Sequence, residues 1–177
     1  MDNLEKLRYP VGRLPRTPDP LDARTRAAHL TILEQAPQRF RSLVTGLGDR
    51  ELDTPYRPGG WTIRQVIHHV PDSHLNAYVR MKLAATEDAP TVKTYEEARW
   101  AELPEARTGP IDMSLALLDA LHVRWVAFLR ALPDADLRRA FMHGEWGRVT
   151  IEESITMYSW HCRHHAAHIE NALAHAR

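Results

Sequence analysis

Residues 112–132 read DMSLALLDALHVRWVAFLRAL, and this stretch decides the fold class. Leu115, Leu118, Trp125, Val126 and Leu129 recur at helical intervals and share one face, whereas a strand would alternate every second residue. The same period appears three more times. Ile151, Ile155, Tyr158, Cys162, Ile169 and Leu173 form a stripe behind Thr150-Ile-Glu-Glu153, a capping box in which the threonine and glutamate side chains satisfy the first free N–H groups. Val66, Val70, Ala77, Met81 and Ala84 form another behind the box Thr62-Ile-Arg-Gln65, predicting a helix to about Glu87. Pro71 lies inside it, frees the carbonyl of Ile67 and is expected to bend it. From about residue 22, Leu30, Leu33, Phe40, Leu43, Val44 and Leu47 mark a fourth helix. Pro37 within that pattern predicts a kink or two stacked helices, and Gly46, Gly48 and Asp49 end it.

Four amphipathic helices without a convincing series of strands predict an all-α fold, a four-helix bundle. Residues 88–110 contain Pro90, Pro104 and Pro110 and one further capping box, Thr94-Tyr-Glu-Glu97, for a short helix. A connection this long predicts a crossover rather than a hairpin between helices. Segment 51–60 reads as a loop, and 138–149, with two glycines, as a loop or small hairpin. Pro10, Pro15, Pro18 and Pro20 predict an extended arm over 1–20, leaving 21–177 as one domain.

The 177 residues include 23 Lys+Arg and 23 Asp+Glu, and this zero balance argues against a nucleic-acid or anionic-membrane binder, which needs excess positive charge. No apolar run approaches the length of a membrane span. The opening MDNLEKLRYP has acidic residues and no apolar core, so a secretory signal is not expected there and the protein reads as cytoplasmic. A single cysteine excludes an intrachain disulfide framework. Cys162 lies on the apolar stripe, where a free thiol behaves as a small hydrophobe rather than a nucleophile.

Histidine is the unusual residue. There are 11, seven of them in two tracts: His68, His69 and His74, then His161, His164, His165 and His168. Such clustering raises metal binding as the first functional hypothesis. Placed at ~100° per residue against the stripe of its helix, His165 falls ~45° from the centre, His161 ~85°, His168 ~105° and His164 ~145°. His161 and His165 are thus the inward pair at i,i+4, the separation at which two imidazoles reach one ion. His164 is expected in solvent or at a subunit contact. On the other helix periodicity prefers His69 or His74 to His68 and does not separate those two. The bland alternative for each is a core histidine with hydrogen-bonded nitrogens.

The blocks LRYPVG (7–12), LDTPYRPGGWTIRQVIHHVPDSHLNAY (52–78), KLAATEDAPTVKTYEEARWAEL (82–103), LHVRW (121–125), HGEWG (143–147) and YSWHCRHHAAHI (158–169) span nearly the whole chain. In them the sequence resembles the DinB/YfiT-like superfamily of metal-binding bundles, and in particular its YfiT branch. The resemblance implies a homodimer with one divalent ion per chain, nickel or zinc, on three histidines. Its register, eight residues beyond Trp61 and then the pair after Tyr-x-Trp, implies His69, His161 and His165 as ligands. It further implies transfer of bacillithiol or a similar small thiol to an electrophile.

Three neutral imidazoles leave a tetrahedral ion an open position, the mark of a catalytic site. A thiol there makes a transferase; water there, as metal-bound hydroxide, makes a metal-dependent hydrolase, the second reading. A non-catalytic metal-binding bundle is the third. Trp61 and Arg57, from the 52–61 loop, and Asn76 and Arg80, which continue the face of His69, are candidate substrate-binding residues. Asp72, Glu145 and Glu153 are candidates to hold the outer N–H of a ligating ring.

Overall fold

A computed structural model describes residues 3–15 and 20–175. Four long helices make the bundle: α2 (Ala23–Val44), α4 (Ile63–Thr86), α7 (Asp112–Ala131) and α8 (Ile151–His175). Shorter helices are α1 (Asn3–Arg8), α3 (Asp49–Leu52), α5 (Glu97–Trp100) and α6 (Pro104–Thr108). The start signals work as the sequence predicts. Thr62 Oγ1 accepts from the Gln65 N–H (3.2 Å) while Gln65 Oε1 accepts from the Thr62 N–H (3.0 Å). Thr150 and Glu153 make the same reciprocal pair at the head of α8, at 3.0 and 2.7 Å.

Each of α2 and α4 packs chiefly on both α7 and α8, so helices consecutive among the long four are not always neighbours. The interior is filled by Leu33, Phe40, Ile63, Ile67, Met81, Trp125, Ile151, Ile155 and Ile169, all fully buried. Removing each such side chain from water is worth roughly 1.5–3 kcal/mol. Cys162 lies among them, and burial pushes its thiol pKa up, so it stays protonated and inert.

Several sequence expectations change. Pro37 sits within a single α2, so the alternative of two stacked helices falls, while Pro71 sits inside a single α4 as expected; each removes only its own N–H and the packed faces hold the helix on either side. Residues 3–8 are helical rather than extended: the prolines begin at residue 10, and α1 lies against α8. Pro18 lies outside the described residues. A small sheet forms: its hairpin falls on 138–149, where a loop or small hairpin was expected, and the strand from 88–110 that joins it was not expected. β1 (Thr91–Val92) runs parallel to β2 (Ala140–His143), which pairs antiparallel with β3 (Gly147–Thr150). Gly147, at φ 69°, closes the turn in a conformation that favours glycine. The Thr94–Glu97 box does not cap α5, whose first flanking residue is Glu96 without a side-chain cap. The chain there is still extended after β1, and Arg80 Nη2 donates to the Lys93 carbonyl (2.8 Å).

Candidate metal centre

His69 reaches the interior two turns into α4, and His161 and His165 face it one turn apart on α8. One nitrogen from each ring lies within 4.8 Å of one from each of the others. Ring centroids are 4.4 Å apart for His161–His165, 4.9 Å for His69–His165 and 5.4 Å for His69–His161. All three line a cavity of about 610 Å³ that opens to the surface. Burial first, and then neighbouring histidines, lowers their pKa values: His69 to about 4, His161 and His165 well below the ordinary imidazole range. At neutral pH the site therefore presents uncharged lone pairs, the form in which imidazole binds a metal. The donor set suits zinc, nickel, copper or iron.

Trp61 and Arg80 line the same cavity, Trp61 with its ring 4.7 Å from that of His69. Arg80 is buried, and among the described residues no carboxylate lies within ion-pair distance of its guanidinium. Two other sequence candidates fall elsewhere. Asn76 donates to the Asp72 carbonyl and faces a different cleft beside Lys93 and Trp100. Arg57 donates to the carbonyl of Pro58 and lies over the Tyr56 ring, away from the cavity wall. The 54–63 loop folds back on itself through Tyr56 N–H to Trp61 O and Ile63 N–H to Thr54 O, which turns Trp61 inward and leaves Arg57 outside.

His143 joins the cavity wall unforeseen, since 138–149 read as a loop or small hairpin with no site role for His143. The β1–β2 pairing sets it there; its Nδ1 accepts from the Glu145 N–H (3.3 Å) and its ring stacks on Trp146. His164 does not lie in solvent, one of its two expected places. It is buried, stacked on Trp160 at 4.3 Å, because the α1 segment covers that face of α8 and Trp160 Nε1 donates to the Gly12 carbonyl. The candidate carboxylate supports do not take that role. Glu153 is spent on its capping box, and the Glu145 and Asp72 carboxylates are hydrogen-bonded to no histidine ring among the described residues. Burial, and then Glu105, raises the Asp72 pKa to about 6. Outer nitrogens are met by other histidines instead: His74 Nε2 lies 3.0 Å from His161 Nδ1, and His168 Nδ1 lies 3.4 Å from His165 Nδ1. The one available signal was the surplus of histidines at core positions.

A family model for the DinB superfamily matches residues 32–169. The chain belongs to the DinB superfamily. Among its DinB relatives, a protein of Bacillus cereus strain B4264 named "Putative metal-dependent hydrolase" is 45% identical over 170 residues, covering 94% of this chain and 95% of the relative. A protein of the same description from Bacillus licheniformis is 44% identical with the same coverage. The structure of YfiT from Bacillus subtilis, described as a probable metal-dependent hydrolase with an unusual four-helix bundle topology, superposes with TM-score 0.93 at 40% identity, over 97% of this chain and 98% of YfiT. TT2238, a four-helix bundle protein, shares the fold at TM-score 0.54 and 19% identity.

Proposed function

We propose that His69, His161 and His165 hold one divalent ion, nickel or zinc, and that the chain transfers a small, bacillithiol-like thiol to an electrophilic carbon. The observation that carries this reading is the convergence of three neutral imidazoles on the wall of an open cavity, in a group with no fourth ligating side chain among the described residues. A site of that kind, when loaded, supplies a cation with an open position that lowers the pKa of a thiol or water placed there. The chain's own residues do the rest. Arg80, buried and without a carboxylate partner, binds a carboxylate of the thiol or its acceptor. Trp61 and Tyr158 cover the histidines with apolar surface and exclude bulk water. His143 accepts at Nδ1, which leaves its proton on Nε2, available to a departing group.

Hydrolysis is the second reading, favoured by the names of the relatives, with water in place of the thiol. Turnover of an electrophile such as a chlorobimane should require added thiol and stop with chelator. Turnover in water alone would establish the hydrolase instead. Elemental analysis of protein purified without a metal column should find about one ion per chain. That ion should be lost in His165→Ala and kept in His164→Ala; full metal content in both variants defeats the ligand assignment. No helix of the described residues is long and apolar enough to cross a membrane. A cytoplasmic homodimer acting on small molecules, and not on nucleic acid or membranes, completes the proposal.

A further inference from the structure

Behind His161 the hydrogen bonds continue across the whole bundle. His161 Nδ1 lies 3.0 Å from His74 Nε2, His74 Nδ1 lies 2.7 Å from His122 Nε2, and His122 Nδ1 lies 2.5 Å from the Leu33 carbonyl oxygen. These four residues belong to α8, α4, α7 and α2 in turn, so the row touches every long helix. His74 and His122 are essentially inaccessible to solvent, at 0% and 1% exposure. Among the described residues, the one carboxylate acting on His122 is that of Asp119, one turn earlier on α7, which is itself paired with Arg41.

The end of the row decides its direction. A carbonyl oxygen can only accept, so His122 Nδ1 carries the proton and donates to Leu33. A neutral ring has one N–H, so His122 Nε2 is bare and accepts. His74 Nδ1 must then donate, which leaves His74 Nε2 bare, and His161 Nδ1 must donate in turn. The lone pair of His161 is left on Nε2.

The anchor itself has a cause in the sequence. Leu33 is four residues before Pro37, which has no N–H, so the Leu33 carbonyl lacks its helical partner. A buried carbonyl needs a donor, and His122 supplies it.

We infer that His74 and His122 are positioning residues that lock His161 in its Nδ1–H tautomer, with the Leu33 carbonyl freed by Pro37 as the fixed end of the row. The lock rests on the reading of His161 as a ligand only for its use; the tautomers stand whether or not an ion binds. It offers the ion a lone pair fixed on Nε2, the nitrogen of His161 that His74 does not engage, and steadied by the three contacts of the row. Removing such outer partners typically lowers metal affinity about 10–100-fold.

The test is made on the full-length, metal-free chain labelled with ¹⁵N in its histidines. His161, His74 and His122 are all expected to show a protonated Nδ1 and a bare Nε2, opposite to the form that free neutral histidine prefers. His122→Phe removes the acceptor for His74 and should weaken Zn²⁺ binding about 10–100-fold in a chelator competition. His122→Gln, whose amide oxygen can accept from His74 Nδ1, should restore most of that loss. A bare Nδ1 on His161 in the wild-type spectrum overturns the lock, and so does wild-type Zn²⁺ affinity in a folded His122→Phe. Should His122→Phe not fold, the wild-type spectrum alone decides. Absence of Zn²⁺ binding by wild type defeats the proposed function, not the tautomer assignment, so the two fail separately.

Discussion

The two histidines that α8 presents to the cavity are backed in different ways. Behind His161 stand two inaccessible rings and a carbonyl of the core, with contacts that shorten from 3.0 to 2.7 to 2.5 Å. Behind His165 stands one ring, His168, at 3.4 Å, which donates from Nε2 to the carbonyl of Arg8 at 3.3 Å. The logic of direction is the same, since a carbonyl ends both rows and both leave Nε2 of the ligand bare. The anchors differ. Leu33 belongs to a 22-residue helix in the core, Arg8 to a six-residue helix held on α8 from outside. A helix that short is not stable alone, so the outer row exists only while α1 stays docked. One ligand is held by the fold and the other by a removable cover.

The largest effect expected is from His74→Phe. It breaks the inner row in the middle and leaves the His161 N–H and His122 Nε2 without partners in the core. Each orphaned group costs roughly 1–3 kcal/mol, so urea unfolding of the metal-free chain should show a loss of about 2–6 kcal/mol. Zn²⁺ affinity should fall toward the 100-fold end of the range. His168→Phe breaks the outer row where the contacts are longer and Tyr56 already stacks on the ring at 3.8 Å. Its loss of affinity should be nearer 10-fold, with a change in stability under about 2 kcal/mol. Equal effects of the two variants would erase the distinction between core and cover.

Acid gives a second comparison. Burial lowers the pKa of His122 and of His168 to about 4, against 6.5 in the unfolded chain. The unfolded chain therefore binds more protons between those values. Stability contributed by the neutral rings is complete above pH 6.5 and is lost as pH falls toward 4. Near pH 5 each such histidine adds about 1.4 kcal/mol per pH unit to the slope. His122→Phe and His168→Phe should each flatten the acid limb of a stability-against-pH curve by about that amount. A curve as steep in both variants as in wild type would show that the rings are not kept neutral by folding.

The parts legible in the sequence were those set by local rules. Helix period and capping boxes placed α4, α7 and α8 within a residue or two, and an i,i+4 pair named His161 and His165 as neighbours. Periodicity left His69 and His74 level, and both in fact face the site: one lines the cavity, the other backs His161. What stayed hidden came from contacts far along the chain. His164 reads as solvated on its own helix and is buried because residues 3–15 lie over it. His143 reads as part of a loop or small hairpin and reaches the cavity through pairing with Val92, some fifty residues earlier. Acidic residues were candidates to partner the ligating rings; instead the bundle meets the N–H groups of His161 and His165 with more histidine, which keeps buried charge out of the core.

The smallest effect expected, and the one that bears most directly on the inner anchor, is that of Pro37→Ala. Alanine restores an N–H to position 37, and it can bond to the Leu33 carbonyl as in any helix. On stability the changes oppose each other. Helix propensity gains about 3 kcal/mol, while two buried methylenes are lost at about 0.8 kcal/mol each and the unfolded chain regains freedom worth about 0.4–1 kcal/mol. The net change in urea unfolding should be within about 1 kcal/mol of zero. The hydrogen bond from His122 should nevertheless weaken, since its acceptor is now shared with the helix. That weakening should move the His122 Nδ1–H proton resonance upfield and lower Zn²⁺ affinity about two- to three-fold, well short of the 10-fold floor for removing a partner outright. The outer row, which does not involve α2, should keep its spectrum. A shift at His168 with none at His122 would mean that the proline shapes the bundle as a whole and not the carbonyl it leaves free.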